Sequence, residues 1–402
     1  PGSVEEEEKR PLVGPSGAEL MRGLREVEAD RYDMALNNAI LCRCSSDNNL
    51  RSYLAKLSKR NKKLAEEGKP TWPSPIDCCK PRLVREIQNH ASAVLTLGST
   101  ALKALASNTS EKSMSAMRGF PLYLGVGSDS TRLLMMKEDA QPGEAALPLI
   151  ATYHPAYVLR ARRWTTVLRR DIAKFFRHVN DRLEWASPIV WTNPTLDQIK
   201  QAFDYFRLAK LPVAIDVETE GKDSTATRLR CIGFGTKDFA IVIPVLSIDH
   251  ISTFWSDSDW AQIVDLINAL TSDLDLTFVF QNGIFDKTVL ERYDIVIRAR
   301  VFDDIVAHNV GKWAEMPHNL DFLSSFYTDN QKHKWVHNPE GWKSDEELWR
   351  YNSGDVIVTA AIAPIIADEC RQHDQVHVYK HDMRKQEICR SMTKIGMGVD
   401  ET

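Results

Sequence analysis

The sequence has no run of about 20 apolar residues and no charged-then-apolar leader, so no membrane-spanning helix or export signal is read from it. The expected location is the cytoplasm, with no membrane partner. A basic excess is also missing: 51 Lys and Arg stand against 55 Asp and Glu, a formal charge of −4. Bulk charge therefore does not advertise a polyanion partner, although acids that cations neutralise would mask one. Cysteine is scarce and odd in number, seven in all, which argues against a disulfide framework. Internal repeats and low-complexity tracts are absent too.

At 402 residues the chain exceeds what one hydrophobic core usually organises, so two domains are expected. It starts at Pro1-Gly2 without an initiator methionine and stops at Asp400-Glu401-Thr402, and the expectation is a piece of something longer. Two local runs are basic: Lys56, Lys59, Arg60, Lys62, Lys63 and Arg160, Arg162, Arg163, Arg169, Arg170. Both suit phosphate contacts, and the first reads equally well as a solvated helix face.

Periodicity supplies the elements. Gly17–Val27 and Leu83–His90 read as helices, Ala93–Leu97 and Leu147–Thr152 as short buried strands, and Thr165–Asp181 as a basic helix. Strand alternating with helix predicts a parallel α/β sheet in this first unit. Trp185–Pro194 reads as linker. Val213–Val217, Cys231–Gly235, Phe239–Pro244 and Thr277–Phe280 read as strands, and Glu346–Cys370 and Val376–Met397 as helices.

Three segments of this second unit carry acids. In Ile215-Asp216-Val217-Glu218 on a strand, Asp216 and Glu218 share one face while Ile215 and Val217 enter the core. Two adjacent carboxylates repel unless a cation lies between them, and Mg²⁺ prefers such oxygens. In Asn282-Gly283-Ile284-Phe285-Asp286, Asn282 is expected to cap a helix that carries Asp286 one turn on. Tyr351-Asn352-Ser353-Gly354-Asp355 sets a phenol and a carboxylate one helical turn apart. Each piece alone reads as polar surface. Together they supply the four carboxylates that a two-metal phosphoryl site needs.

In this order the three segments resemble the exonuclease motifs of the DEDD superfamily, in its tyrosine-bearing branch. Phe302-Asp303-Asp304 and Asn319-Leu320 resemble the version found in bacterial-type family A DNA polymerases, and the chain as a whole is similar to the N-terminal part of a phage-like one. The resemblance implies a ribonuclease-H-like 3′→5′ exonuclease domain with a mixed sheet. It implies that Asp216, Glu218, Asp286 and Asp355 hold two Mg²⁺ or Mn²⁺ ions, and that Tyr351 orients the attacking water. Asn282 and Phe285 would serve the DNA 3′ end, Phe285 from the core beneath it. Glu387-Ile388 through Asp400 is similar to the stretch that enters a polymerase domain. DNA, as single-stranded 3′ ends or primer–template, and replication proteins become the expected partners, in a bacterial host cell if a phage encodes the chain.

The first unit carries a second resemblance. Glu8–Gly17, Leu36-Asn37-Asn38-Ala39-Ile40-Leu41-Cys42, Val94–Gly98, Arg118-Gly119 and Ala151–Arg160 follow the order of iron–sulfur uracil-DNA glycosylases. By that resemblance Asn38 reads a flipped uracil, His154 stabilises the leaving base, and Arg160 completes the pocket. Cys42 and Cys79 would be two ligands of a [4Fe–4S] cluster if two further cysteines stand upstream of Pro1, with Cys44 or Cys78 as substitutes. Leu12 stands where that family has a stacking aromatic.

The expected layout is a glycosylase-like α/β domain over 1–184, a linker and first helix over 185–210, the exonuclease over 211–375, and the start of a polymerase domain over 376–402. Two other readings stay open: a stand-alone RNA-processing exonuclease, and a uracil-sensing DNA-binding module without base excision.

Overall fold

A computed structural model describes residues 3–43, 49–105, 113–126, 133–136, 146–331 and 342–396. The chain divides into two compact units, Pro1–Glu184 with Asp329–Val336, and Trp185–Thr328 with His337–Thr402.

The first unit runs α1 (Ser3–Glu8), α2 (Pro15–Arg25), α3 (Leu50–Glu66), α4 (Pro75–His90), β1 (Val94–Leu97), α5 (Ser99–Leu105), α6 (Met114–Met117), β2 (Leu122–Val126), β3 (Leu133–Met136), β4 (Leu147–Thr152), α7 (Pro155–Arg160) and α8 (Thr165–Val179). Start signals are local: Ser74 and Asp77 form a reciprocal capping box before α4, with Pro75 as its first residue. The sheet order is β1-β4-β2-β3, with β1 parallel to β4 but β2 antiparallel to both its neighbours. The parallel sheet expected for this unit is therefore a mixed one. Only six residues separate β2 from β3 in the sequence, too few for the crossover that parallel pairing needs. Leu102, Met117, Phe120, Leu124 and Leu149 fill one core against the sheet.

The second unit runs β5 (Ile189–Thr192), α9 (Leu196–Ala209), β6 (Val213–Thr219), β7 (Leu229–Gly235), β8 (Phe239–Pro244), α10 (Asp257–Thr271), β9 (Thr277–Phe280), α11 (Ile284–Glu291), β10 (Arg300–Asp303), α12 (Asp304–Val310), α13 (Leu320–Tyr327), α14 (Asp345–Gln372) and α15 (Val376–Ile395). Its six-stranded sheet has the order β10-β9-β6-β7-β8-β5. The stretch read as linker contributes β5, which pairs parallel to β8 at the sheet edge.

The two faces of this sheet differ in side-chain size, and that difference places α14. On one face Ile215, Val217, Ile232 and Phe234 pack with Phe203, Phe206, Ile263 and Ile267 of α9 and α10. Phe203 and Phe234 meet edge to face at 5.3 Å, worth about 0.5–1.5 kcal/mol beyond their burial. On the other face stand Ala214, Gly233, Gly235 and Ala240, where α14 packs through Val356, Ala360 and Ala363. A Cβ on Gly235 would lie 2.7 Å from Val356 Cγ2. The bare face thus lets a 28-residue helix lie against the strands.

Candidate active site

The alternation of β6 turns Asp216 and Glu218 toward α14, and the close approach of that helix brings Asp355 to them. Ligand oxygens of Asp216, Glu218 and Asp355 all lie within 4.8 Å of one another. Asp286 of α11 is outside that cluster but adjoins it: its Oδ1 accepts from the Val217 N–H at 3.0 Å, between Asp216 and Glu218. That N–H is open to it because β6 pairs with β9 only over Val213 and Ala214. Burial pushes the Asp286 carboxyl up to about 7, against the pull of the Val217 N–H. Tyr351 sits one turn before Asp355 with its ring centroid 4.8 Å from that of Trp342.

Asn282 does not cap α11. It takes a left-handed conformation, φ 72°, and Gly283 precedes the helix. Asparagine tolerates that conformation, and the turn is held from outside. Asp303 accepts from the Asn282 N–H at 3.4 Å, from Gly283 N–H at 2.8 Å and from Gln386 Nε2 at 2.8 Å. Phe285 packs, partly buried, against the core that includes Ile215 and Val217 of β6.

One residue of the site escaped the sequence reading. Asn352 is fully buried, and its Nδ2 donates to the Asp216 carboxylate at 2.7 Å and to the Asp216 carbonyl at 3.2 Å. Gly233, directly opposite Asp216 on β7, makes the room: a Cβ there would lie 2.2 Å from Asn352 Oδ1. The available signal is an asparagine beside Tyr351 and three residues before Asp355, on the side of the helix that carries the carboxylate.

In the first unit, His154 begins α7, and its Nδ1 accepts from Ala156 N–H at 3.1 Å. Burial, reinforced by Arg160, holds its pKa below the ordinary histidine value. Gly98, at φ +85°, allows the approach, since a Cβ there would meet His154 Cβ at 2.9 Å. Asn38 is half-buried and its carbonyl accepts from Arg82 at 2.7 Å, while Arg160 is exposed. No hydrogen bond among the described residues joins Asn38, His154 and Arg160. Leu12 lies at φ 54°, and its carbonyl accepts from Arg31 at 2.8 Å. Cys42 is exposed and Cys79 half-buried, and among the described residues neither belongs to a group of three metal-binding side chains. Cys44 lies outside the described residues.

Comparison with known families agrees with the division into two units. Residues 1–184 match the uracil DNA glycosylase superfamily, and residues 193–371 match a 3′-5′ exonuclease family. The chain carries a glycosylase-superfamily domain followed by a 3′-5′ exonuclease domain. No curated protein matches it. Similar solved structures include Brucella melitensis NrnC bound to pGG, 18% identical, covering 52% of this chain and 91% of that one, TM-score 0.36. Escherichia coli RNase D, an exoribonuclease involved in structured RNA processing, is 15% identical over 51% of each chain, TM-score 0.37. The Aedes aegypti Nibbler EXO domain is 14% identical, covering 50% of this chain and 97% of that one, TM-score 0.34. At such scores these likenesses carry no argument about substrate. An exonuclease domain of this type implies a divalent metal. The cluster of Asp216, Glu218 and Asp355 fits one, since hard carboxylate oxygens converge on a single point.

Proposed function

We propose that the chain removes nucleotides from the 3′ end of a DNA strand, as the proofreading exonuclease of a family A DNA polymerase, and that its glycosylase-superfamily domain binds DNA. One observation carries the catalytic part: three carboxylates from β6 and α14 gathered within 4.8 Å. Asp216, Glu218 and Asp355 would hold two Mg²⁺ or Mn²⁺ ions, with Asp286 completing the set. When bound, such ions neutralise the charge on the attacking and leaving oxygens of an in-line displacement.

The chain's own residues do the rest. Tyr351 orients the water whose oxygen attacks the last phosphorus. The bond from phosphorus to the 3′ oxygen breaks, that oxygen takes a proton, and a nucleoside 5′-monophosphate leaves. Asn282 holds the strand end at its turn, and Phe285 supports the site from the core. Asn352 fixes the Asp216 carboxylate through its amide. DNA is favoured over RNA by the neighbouring glycosylase-superfamily domain.

The test is a 5′-labelled primer–template with a 3′ mismatch, beside an RNA primer of the same sequence, with Mg²⁺ or with EDTA. Metal-dependent shortening of the DNA, lost in Asp216→Ala, is expected. Faster trimming of the RNA would replace proofreading by RNA processing. No shortening of either strand with ions present would sink the exonuclease assignment.

A further inference from the structure

Helix α3 lies between Cys42 and Cys79 in the first unit, and little of it is buried. Only Leu57 of its 17 residues is buried. Its apolar side is held by the segment that follows it: Leu54, Leu57, Ser58 and Asn61 share one groove with Thr71, Trp72 and Pro73. Asn61 clamps Trp72 through both of that residue's backbone groups, accepting from its N–H at 2.9 Å and donating to its carbonyl at 2.8 Å.

The other side is cationic and exposed. Lys56, Lys59, Arg60 and Lys63 recur at i, i+3, i+4 and i+7, a stripe roughly 10 Å long on one face, with Lys62 beside it. Among the described residues Lys56, Lys59 and Lys62 have no acidic partner, and Lys63 reaches only Glu67, at 4.0 Å. Solvated helix faces usually interleave acids one turn from the bases. Here Glu66 is the one acid of the helix, so neighbouring cations repel one another. Arg60 joins the stripe to the groove: its guanidinium lies 3.5 Å from the centre of the Trp72 ring, and that indole stays 48% exposed. A row of cations beside a fixed, exposed aromatic matches the needs of a polyanion that also carries flat rings. An acidic peptide would use the charges and leave the indole without a role.

We propose that α3 and Trp72 form a docking surface for a single nucleic-acid strand, with phosphates along the cationic stripe and a base against the indole. This rests on the proposed DNA binding by the glycosylase-superfamily domain and names its surface; it does not rest on the exonuclease assignment, because binding without cleavage can be measured in EDTA, and parent binding that survives neutralisation of the stripe would sink the surface alone.

The experiment uses the full chain, fluorescently labelled oligothymidylate, EDTA and a salt series, read by anisotropy. Neutralising the stripe (K56Q/K59Q/R60Q/K63Q) should lower the slope of log affinity against log salt by roughly 3, four contacts at about 0.7 each. Affinity should fall at least about tenfold near 0.1 M salt. Trp72→Ala should weaken binding by about tenfold and leave the slope unchanged. The charge-retaining K56R/K59R/K63R variant should keep the parent slope. An unchanged slope in the neutralised variant would overturn the proposal, as would equal loss of binding in the charge-retaining one.

Discussion

The two units treat buried charge in opposite ways. In the first, a base meets each buried acid. Arg118 donates to Asp171 at 2.8 Å while Thr152 donates to the other carboxylate oxygen at 2.6 Å. Lys174 donates to the Gly119 carbonyl at 2.8 Å, and Asp329 accepts from Arg177 at 2.6 and 3.1 Å. In the second, acids gather with acids: Asp216, Glu218 and Asp355 converge, and Asp286 adjoins them. Pairing of opposite charges organises a fold. Convergence of like charges costs stability in the free protein and is recovered only when a cation arrives. The contrast separates framework from chemistry without reference to any relative.

The comparison breaks first at the carboxylates. Asp216→Ala should lower exonuclease turnover roughly a thousandfold while leaving the unfolding temperature near the parent value, because several kcal/mol of transition-state stabilisation is lost, while relief of repulsion among the three carboxylates offsets the lost hydrogen bond from Asn352. A melt and a primer-shortening assay on the same preparation check this. Asp171→Ala should do the reverse. It breaks the buried ion pair of Asp171 with Arg118, at a cost of about 3–5 kcal/mol, with the melting temperature down by roughly 10 °C and turnover per folded molecule retained. If Asp216→Ala destabilised the protein as much as Asp171→Ala, the carboxylate cluster would be framework too.

A smaller effect sharpens the contrast inside the second unit. Gly233→Ala puts a methyl group 2.2 Å from Asn352 Oδ1 and must displace the amide that holds Asp216. A loss of roughly 10–100-fold is expected, together with a higher Mg²⁺ concentration for half-maximal rate, and Asn352→Ala should match it. A lower rate at an unchanged Mg²⁺ requirement would show that Asn352 serves packing and not the carboxylate.

What the sequence made legible follows from what local periodicity encodes. The i, i+2 alternation of β6 and the i, i+4 spacing of Tyr351 and Asp355 state which side chains share a face, and the mixed α/β architecture follows from the same patterns. Distances across the fold are not encoded that way. The bond from Asn352 to Asp216 joins residues 136 apart, and the glycine that permits it sits on a third element. Strand β5 was hidden because it is a four-residue edge strand with Ile189 and Val190 exposed, so it shows no buried alternation. Asn282 is left-handed in place of the expected cap because Asp303, a distant residue, holds the turn.

The smallest expected effect is one of sign. Lys174 is buried, and burial lowers its pKa from 10.5 to about 7, against the pull of Asp329 and Asp171. Between those values the unfolded chain binds a proton that the folded unit does not, so stability rises with pH across that window. In the second unit Asp304 is buried with no hydrogen bond to either carboxylate oxygen, and burial, with Asp303 beside it, raises its pKa well above 3.8. There the folded state holds the proton, and the contribution is present below the unfolded value and lost as pH rises above about 4. Lys174→Met should therefore gain stability on its parent most at pH 7 and below, the advantage shrinking as pH climbs toward 10. Asp304→Asn should gain least at low pH and more as pH rises. Melting temperatures of parent and variants across a pH series read both differences. An advantage of Lys174→Met that did not shrink toward pH 10, or one of Asp304→Asn that did not grow with pH, would mean that burial does not penalise the charged form at that position.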